Sequence, residues 1–289
     1  MRTYPQRIAA GLIALLALSC PASSRGDFVL GVTYLDNQLV SIDTATGAGT
    51  IVGPLDTPMS AYGLSSVNNK LYTFDSTADV IRQLNPSTGS TLSTFNIGLA
   101  PGALLGQGGL AFQSGTVGYL TSSLDPTTLN PLNNLYRFDL STGQTTLIAP
   151  QGTTDSLEAL AFNSAGTLYG LGKLDGNLYT VNTSTGVLTA VGNVGFNVGS
   201  PVGGLTFRPD GTLYATIDDA LYTLNTANGH ATAVYAPDPT SPLGNPTGVF
   251  SISGLAFAAA VPEPSSFLLC GVAASIAGAC RLIRRRASA

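Results

Sequence analysis

A short segment recurs five times between residues 60 and 257, and it restricts the fold more than any other feature of the chain. It reads Gly63-Leu64, Gly109-Leu110-Ala111-Phe112, Ala159-Leu160-Ala161-Phe162, Gly204-Leu205-Thr206-Phe207 and Gly254-Leu255-Ala256-Phe257, with successive starts 46, 50, 45 and 50 residues apart. A second segment repeats with it: Leu39 to Asp43, Ile81 to Asn85, Leu135 to Asp139, Leu178 to Asn182 and Leu221 to Asn225. Every copy ends in Asp or Asn and runs into a turn closed by Gly47, Gly89, Gly143, Gly186 or Gly229. Such a turn is a tight reversal, because the Asx side chain accepts from the backbone two residues on and glycine takes positive φ. Further turn signals (Asn68-Asn69, Ser114-Gly115, Ala165-Gly166, Asp210-Gly211) separate the first segment from Leu-Tyr strands such as Leu71-Tyr72, Leu168-Tyr169 and Leu213-Tyr214.

Each unit therefore reads as four short antiparallel strands, a to d, at a period of about 45 residues, the length of a propeller blade. The chain opens with strands b, c and d (Phe28 to Tyr34, Leu39 to Asp43, Thr50 to Leu55) and closes with a lone strand a, Ile252 to Phe257. Pairing the two ends completes a fifth blade and removes exposed sheet edges. The expectation is an all-β body over residues 27–260, a β-propeller of five four-stranded blades closed by its N- and C-terminal strands. Six or seven blades follow if residues 97–107 and 236–250 contain strands, and a β-sandwich with irregular repeats is the alternative architecture.

In this scheme the d-to-a and b-to-c loops share one rim, the loop rim, and the a-to-b and c-to-d turns share the other, the turn rim. The three cysteines, Cys20, Cys270 and Cys280, all lie outside the body, so no disulfide framework holds it. Residues 27–260 contain five basic and fifteen acidic residues, a formal charge of −10, which repels nucleic acid and anionic lipid.

The loop rim receives eleven of those acids: Asp36, Asp56, Asp75, Asp79, Asp125, Asp155, Glu158, Asp175, Asp218, Asp219 and Asp238, opposed by Lys173. Every blade supplies a b-to-c aspartate (Asp36; Asp75 and Asp79; Asp125; Asp175; Asp218 and Asp219). Two readings are open. They form a cation-attracting binding rim on which calcium is a candidate ion, or they are turn formers on solvated loops. No Asp-x-Asp-x-Asp-Gly loop is present to fix ligand geometry.

Catalytic candidates are few. The only histidine, His230, follows Gly229 in a c-to-d turn, there is no Gly-x-Ser-x-Gly elbow, and His- or Cys-rich metal sites are excluded by count. Gly106-Gln107-Gly108-Gly109 leads into a strand, not into the helix a phosphate cradle needs. Asn182-Thr183-Ser184 carries a glycosylation pattern but coincides with the repeated turn. The tyrosines mostly occupy the Leu-Tyr strands, where packing between blades is expected and a few could line a carbohydrate-binding rim.

The two ends are of another kind. Arg2 and Arg7 precede an apolar run from Ile8 to Leu18, followed by small and polar residues to Ser24. That order is a secretory signal over residues 1–24, cut near Ser24, with Ser19-Cys20 loosely imitating a lipoprotein site. At the other end Val261-Pro262-Glu263-Pro264 precede uncharged residues from Ser265 to Cys280, and Arg281, Arg284, Arg285 and Arg286 follow. Sixteen residues rise about 24 Å as a helix, short for a stable span, and the arginines favour a cytoplasmic end.

Residues 261–289 resemble the PEP-CTERM sorting tail. The resemblance implies a transient C-terminal transmembrane helix over 265–283 and cutting near Pro-Glu-Pro by an exosortase after delivery by the secretion machinery. It further implies release or attachment at the cell surface, and association with extracellular polysaccharide. The expected function is thus a non-catalytic surface or matrix protein binding polysaccharide or protein. A calcium-dependent propeller hydrolase or lactonase is the alternative.

Overall fold

A computed structural model describes residues 28–56, 59–99, 108–124, 131–150, 157–173, 175–195, 202–234 and 251–257. Three strands open the chain: β1 (Phe28–Thr33), β2 (Gln38–Asp43) and β3 (Gly49–Pro54). A second group is β4 (Ala61–Val67), β5 (Lys70–Asp75), β6 (Val80–Leu84) and β7 (Thr91–Asn96), and a third is β8 (Leu110–Phe112), β9 (Val117–Leu124), β10 (Pro131–Asp139) and β11 (Gln144–Pro150). The fourth is β12 (Leu157–Phe162), β13 (Leu168–Gly172), β14 (Asn177–Val181) and β15 (Leu188–Asn193). The fifth is β16 (Val202–Phe207), β17 (Leu213–Ile217), β18 (Ala220–Leu224) and β19 (Ala231–Ala233), and β20 (Ile252–Ala256) ends the series.

These strands form five antiparallel four-stranded sheets, four of them in chain order and one ordered β20-β1-β2-β3. Gly31 pairs with Leu255 and Leu30 with Ala256, so the first and last strands close one blade. The five a strands meet in the cyclic order β20, β4, β8, β12, β16 and back to β20. The protein is a five-bladed β-propeller. The expected transmembrane helix, the signal segment and the stretches 100–107 and 235–250 lie outside the described residues.

The recurring small residue before leucine explains why the ring shuts so tightly. A Cβ added at Gly63 would lie 2.6 Å from the Leu110 nitrogen, at Gly109 2.6 Å from Leu160, at Gly204 2.3 Å from Leu255 and at Gly254 2.4 Å from Leu64. Each a strand thus rests its glycine on the backbone of the next a strand, and Ala159 takes the corresponding place beside Leu205. The leucines that follow are all at most 2% exposed, and burying each side chain contributes about 1.5–3 kcal/mol.

Packing between blades repeats five times. Five separate apolar clusters lie one at each blade interface, and the cluster of Val29, Val40, Ile42, Tyr214, Leu221, Ile252 and Leu255 joins the fifth blade to the first. The b strands of the second to fifth blades each place a tyrosine against the phenylalanine of the next a strand. Tyr72–Phe112, Tyr119–Phe162 and Tyr169–Phe207 have ring centroids 4.7, 5.6 and 5.4 Å apart, and Tyr214 and Phe257 meet in the closing cluster. The tyrosines expected between blades are found there.

The c-to-d turns are five copies of one device. The nitrogens of Gly47, Gly89, Gly143, Gly186 and Gly229 donate to the carbonyls of Asp43, Asn85, Asp139, Asn182 and Asn225 at 2.8 to 2.9 Å. Their φ angles lie between +68° and +81°, a region that costs other residues about 1–2 kcal/mol. The Asn182 Oδ1 accepts from the Ser184 and Thr185 nitrogens, the turn reading of Asn182-Thr183-Ser184.

Candidate binding face

Loop-rim residues converge where the inner strands meet. Cα atoms of β4 approach those of β12 and β16 across the ring, so the axis is narrow. The a strands bulge at this end: Gly63, Glu158, Gly203 and Ser253 have no partner in register. A bulge re-aims a side chain and leaves backbone groups to satisfy. Buried hydroxyls satisfy several of these groups: Thr73 Oγ1 donates to the Gly63 carbonyl at 2.8 Å, Thr121 Oγ1 to Leu157 at 2.7 Å, and Ser253 Oγ contacts the carbonyls of Val32 and Ala61.

Two tyrosines stand at this mouth. Tyr34, just beyond β1, stacks on Tyr62 of β4 with centroids 5.8 Å apart and planes 23° from parallel, both half-buried. Burial raises the Tyr62 hydroxyl above its ordinary range, and the neighbouring Tyr34 and the negative charge of Glu158 push it further the same way. Glu158, on the β12 bulge, has a fully buried side chain that meets the Lys173 ammonium at 2.5 Å.

Of the aspartates expected on this rim, Asp36, Asp56, Asp75, Asp79, Asp175, Asp218 and Asp219 lie within the described residues, at or between the strand ends of this rim, and most of them have work inside the fold. Asp75 is buried and holds Arg82 at 2.8 Å while accepting from the Thr77 nitrogen. Asp79 is buried with φ +51°, and Asp218 and Asp219 occupy both positions of a two-residue turn at +52° and +59°, the I′ geometry that Asp tolerates. The Asp219 carboxylate also accepts from the Ser251 and Ile252 nitrogens at 3.0 and 2.9 Å. Asp175 accepts from the Asn177 nitrogen at 2.8 Å and from the Tyr179 hydroxyl. Asp56 reaches the Thr91 nitrogen of the next blade, and Asp36 is exposed. Asp125, Asp155 and Asp238 lie outside the described residues, as do Val261, Pro262, Glu263, Pro264 and the four tail arginines.

Arg82 corrects one expectation. The sequence sets only Lys173 against the acids of this rim, but the pairing of Arg82 with Asp75 brings a second cation to it. Among the described residues the loop rim then has eight acids (Asp36, Asp56, Asp75, Asp79, Glu158, Asp175, Asp218, Asp219) and two bases. The turn rim has Asp43, Asp139 and Asp210 against Lys70, Arg137 and Arg208. There the Ser141 hydroxyl and nitrogen lower the Asp139 carboxyl, and the Thr212 nitrogen lowers Asp210.

Among the described residues no group of three or more His, Cys, Asp or Glu side chains is placed to hold a metal. His230 is exposed on its turn, beside Gly195 of the preceding blade. A pocket of about 200 Å³ on the turn rim is lined by Ser66, Asn68, Lys70, Pro86, Pro209 and Phe257, among others.

No protein-family model matches the chain, and no curated protein matches it by sequence. Three solved structures resemble it in shape. One is a structural genomics protein of unknown function from Bacteroides thetaiotaomicron VPI-5482, at 17% identity over 60% of this chain and 42% of that one, TM-score 0.44. The chain thus spans less than half the length of that protein. The others are a nidogen/laminin complex (14% identity, 81% and 99% covered, TM-score 0.48) and a luciferin-regenerating enzyme (10%, 74% and 79%, TM-score 0.47). The propeller assignment rests on strand pairing and ring closure, not on these likenesses.

The Tyr34–Tyr62 stack is not among the expectations from the sequence, and neither is the direct pairing of Glu158 with Lys173, which the sequence sets on the loop rim only as an acid and an opposing base. An acid inside an otherwise apolar inner strand, Leu157-Glu158-Ala159-Leu160, was the available signal for the second. Tyr62 likewise stands directly before its Gly-Leu pair, outside the Leu-Tyr set.

Proposed function

We propose that this is an exported cell-surface or matrix protein whose propeller binds polysaccharide or another surface protein without chemistry of its own. The observation that carries the binding half is the half-buried Tyr34–Tyr62 stack at the mouth of the loop rim. Aromatic faces beside a narrow axis present a rigid, amphipathic platform with little entropy to lose on binding. The rim's aspartates serve turns, Arg82 and the closing strand, which supports a recognition surface over a catalytic centre.

Export and sorting rest on the terminal segments: the apolar run from Ile8 to Leu18 behind Arg2 and Arg7, and the Pro262-Glu263-Pro264 tail with its arginines. The secretion machinery and an exosortase are the partners those segments imply, with release or attachment outside the inner membrane. Polysaccharide enters as a ligand through the same resemblance.

Mass analysis of the secreted product, with and without substitution of Pro262, Glu263 and Pro264, tests sorting. Identical mature C-termini in both would sink it. Binding of the folded body to the producer's exopolysaccharide tests the other half. It should survive His230→Ala and fall when Tyr34 and Tyr62 are both replaced by alanine. Binding indifferent to the tyrosines would remove the site.

A further inference from the structure

We infer that the turn rim is the face this protein presents to the lipid surface while its tail is in the membrane, and that the loop rim points away. This rests on the export and sorting reading above and concerns something that reading leaves open, the orientation of the body.

The closing blade sets the geometry. β1 is a b strand and β20 an a strand, antiparallel and side by side, with Leu30 opposite Ala256. A b strand starts, and an a strand ends, at the turn rim. Both flanking segments therefore join the body at the same rim, and Phe257 lines the pocket found there.

The linker is short enough for this to matter. Seven residues, 258 to 264, separate Phe257 from the uncharged run that begins at Ser265. Fully extended they reach at most about 25 Å. A blade strand of five or six residues, the length of β20 and β1, is itself roughly 17–20 Å long. To lay the loop rim on the bilayer, the linker would have to run the height of a blade and would be nearly exhausted on arrival. With the turn rim down, no such detour is needed.

Charge points the same way. Among the described residues three acids face three bases on the turn rim, whereas eight acids face two bases on the loop rim. An anionic headgroup layer repels the second face within a Debye length of about 10 Å and is indifferent to the first.

The body has no cysteine, which makes the test direct. Cys20, Cys270 and Cys280 are replaced by serine in the full chain. One cysteine is then introduced on each rim of the same blade: Ala45→Cys on the c-to-d turn, or Leu35→Cys, 65% exposed, beside the b-to-c turn. Each fluorescently labelled chain is reconstituted into phosphatidylglycerol–phosphatidylethanolamine vesicles with and without nitroxide-headgroup lipid. The Ala45 probe should lose most of its emission to the lipid quencher and the Leu35 probe little. Doubling the linker after Ala260 should narrow the difference. Equal quenching of the two probes, or stronger quenching at Leu35, overturns the orientation and leaves the sorting reading standing. A chain that fails to float with the vesicles overturns both.

Discussion

Gly254, in the last strand, faces Leu64 of the second blade so closely that a Cβ on it would come within 2.4 Å of the Leu64 nitrogen and 2.5 Å of the Gly63 carbonyl carbon. Two backbones approach here with no side chain between them, at the interface where the end of the chain shuts the ring.

Gly254→Ala should therefore destabilise the body by about 2–3 kcal/mol, at the upper end of ordinary overpacking, because backbone cannot rotate aside as a side chain can. Gly166→Ala is the matched control. Its φ is +81° with nothing within 4 Å of the new Cβ, so only local strain of about 1 kcal/mol applies. Urea unfolding of both variants measures the difference. Equal losses would show that the ring has room it is not credited with.

How far the architecture could be read in advance follows from the range of the interactions. The c-to-d turns lie within five residues, Asp43 to Gly47 for example, and their chemistry is visible in any one copy. The small-residue–leucine signature is also local in each blade, although its reason, the contact of Gly109 with Leu160, spans two blades. The loop rim is different. Tyr34 and Tyr62 are 28 residues apart and meet only because the first and second blades adjoin at the axis. Arg82 turns toward Asp75 across one hairpin, a side-chain choice that strand periodicity does not specify.

Asp219 offers a second test of closure. Its carboxylate accepts two backbone nitrogens, Ser251 and Ile252, from a strand 32 and 33 residues away. Asp219→Ala removes both acceptors and places alanine at φ +59°. Asp219→Asn keeps a residue that tolerates this φ and retains one acceptor oxygen. The alanine variant should lose about 2–3 kcal/mol and the asparagine variant about half of that. Faster hydrogen exchange at the Ile252 amide should accompany the loss. Unchanged exchange in Asp219→Ala would mean that the last strand is held by its ladder to β1 alone.

The Glu158–Lys173 pair predicts an asymmetry. The carboxylate side chain is fully buried and the lysine is 35% exposed. Lys173→Met takes the ammonium from beside a carboxylate that cannot reach water, whereas Glu158→Gln leaves an ammonium that can. The first should cost about 2–3 kcal/mol and the second about 1 kcal/mol, since the penalty follows the group left behind. Thermal unfolding of the two variants at neutral pH decides it. A larger loss in Glu158→Gln would reverse the assignment of which partner is desolvated.

Tyr62 makes the mouth of the loop rim sensitive to alkali. Burial, Tyr34 and Glu158 all raise its hydroxyl above the ordinary 10.0. Above pH 10.0 the unfolded chain gives up this proton while the folded one keeps it, so the folded state binds more protons and stability falls with rising pH. The contribution is fully present below the unfolded value and is lost as pH climbs through the folded one. Tyr62→Phe should make the alkaline limb of the stability profile shallower without abolishing its slope, because burial raises Tyr72 and Tyr222 in the same direction. Tyrosinate absorbance should show one late-titrating group fewer in the variant. An alkaline limb of unchanged steepness would mean that the Tyr62 hydroxyl meets solvent freely, and with it the platform at the axial mouth would lose its desolvated edge.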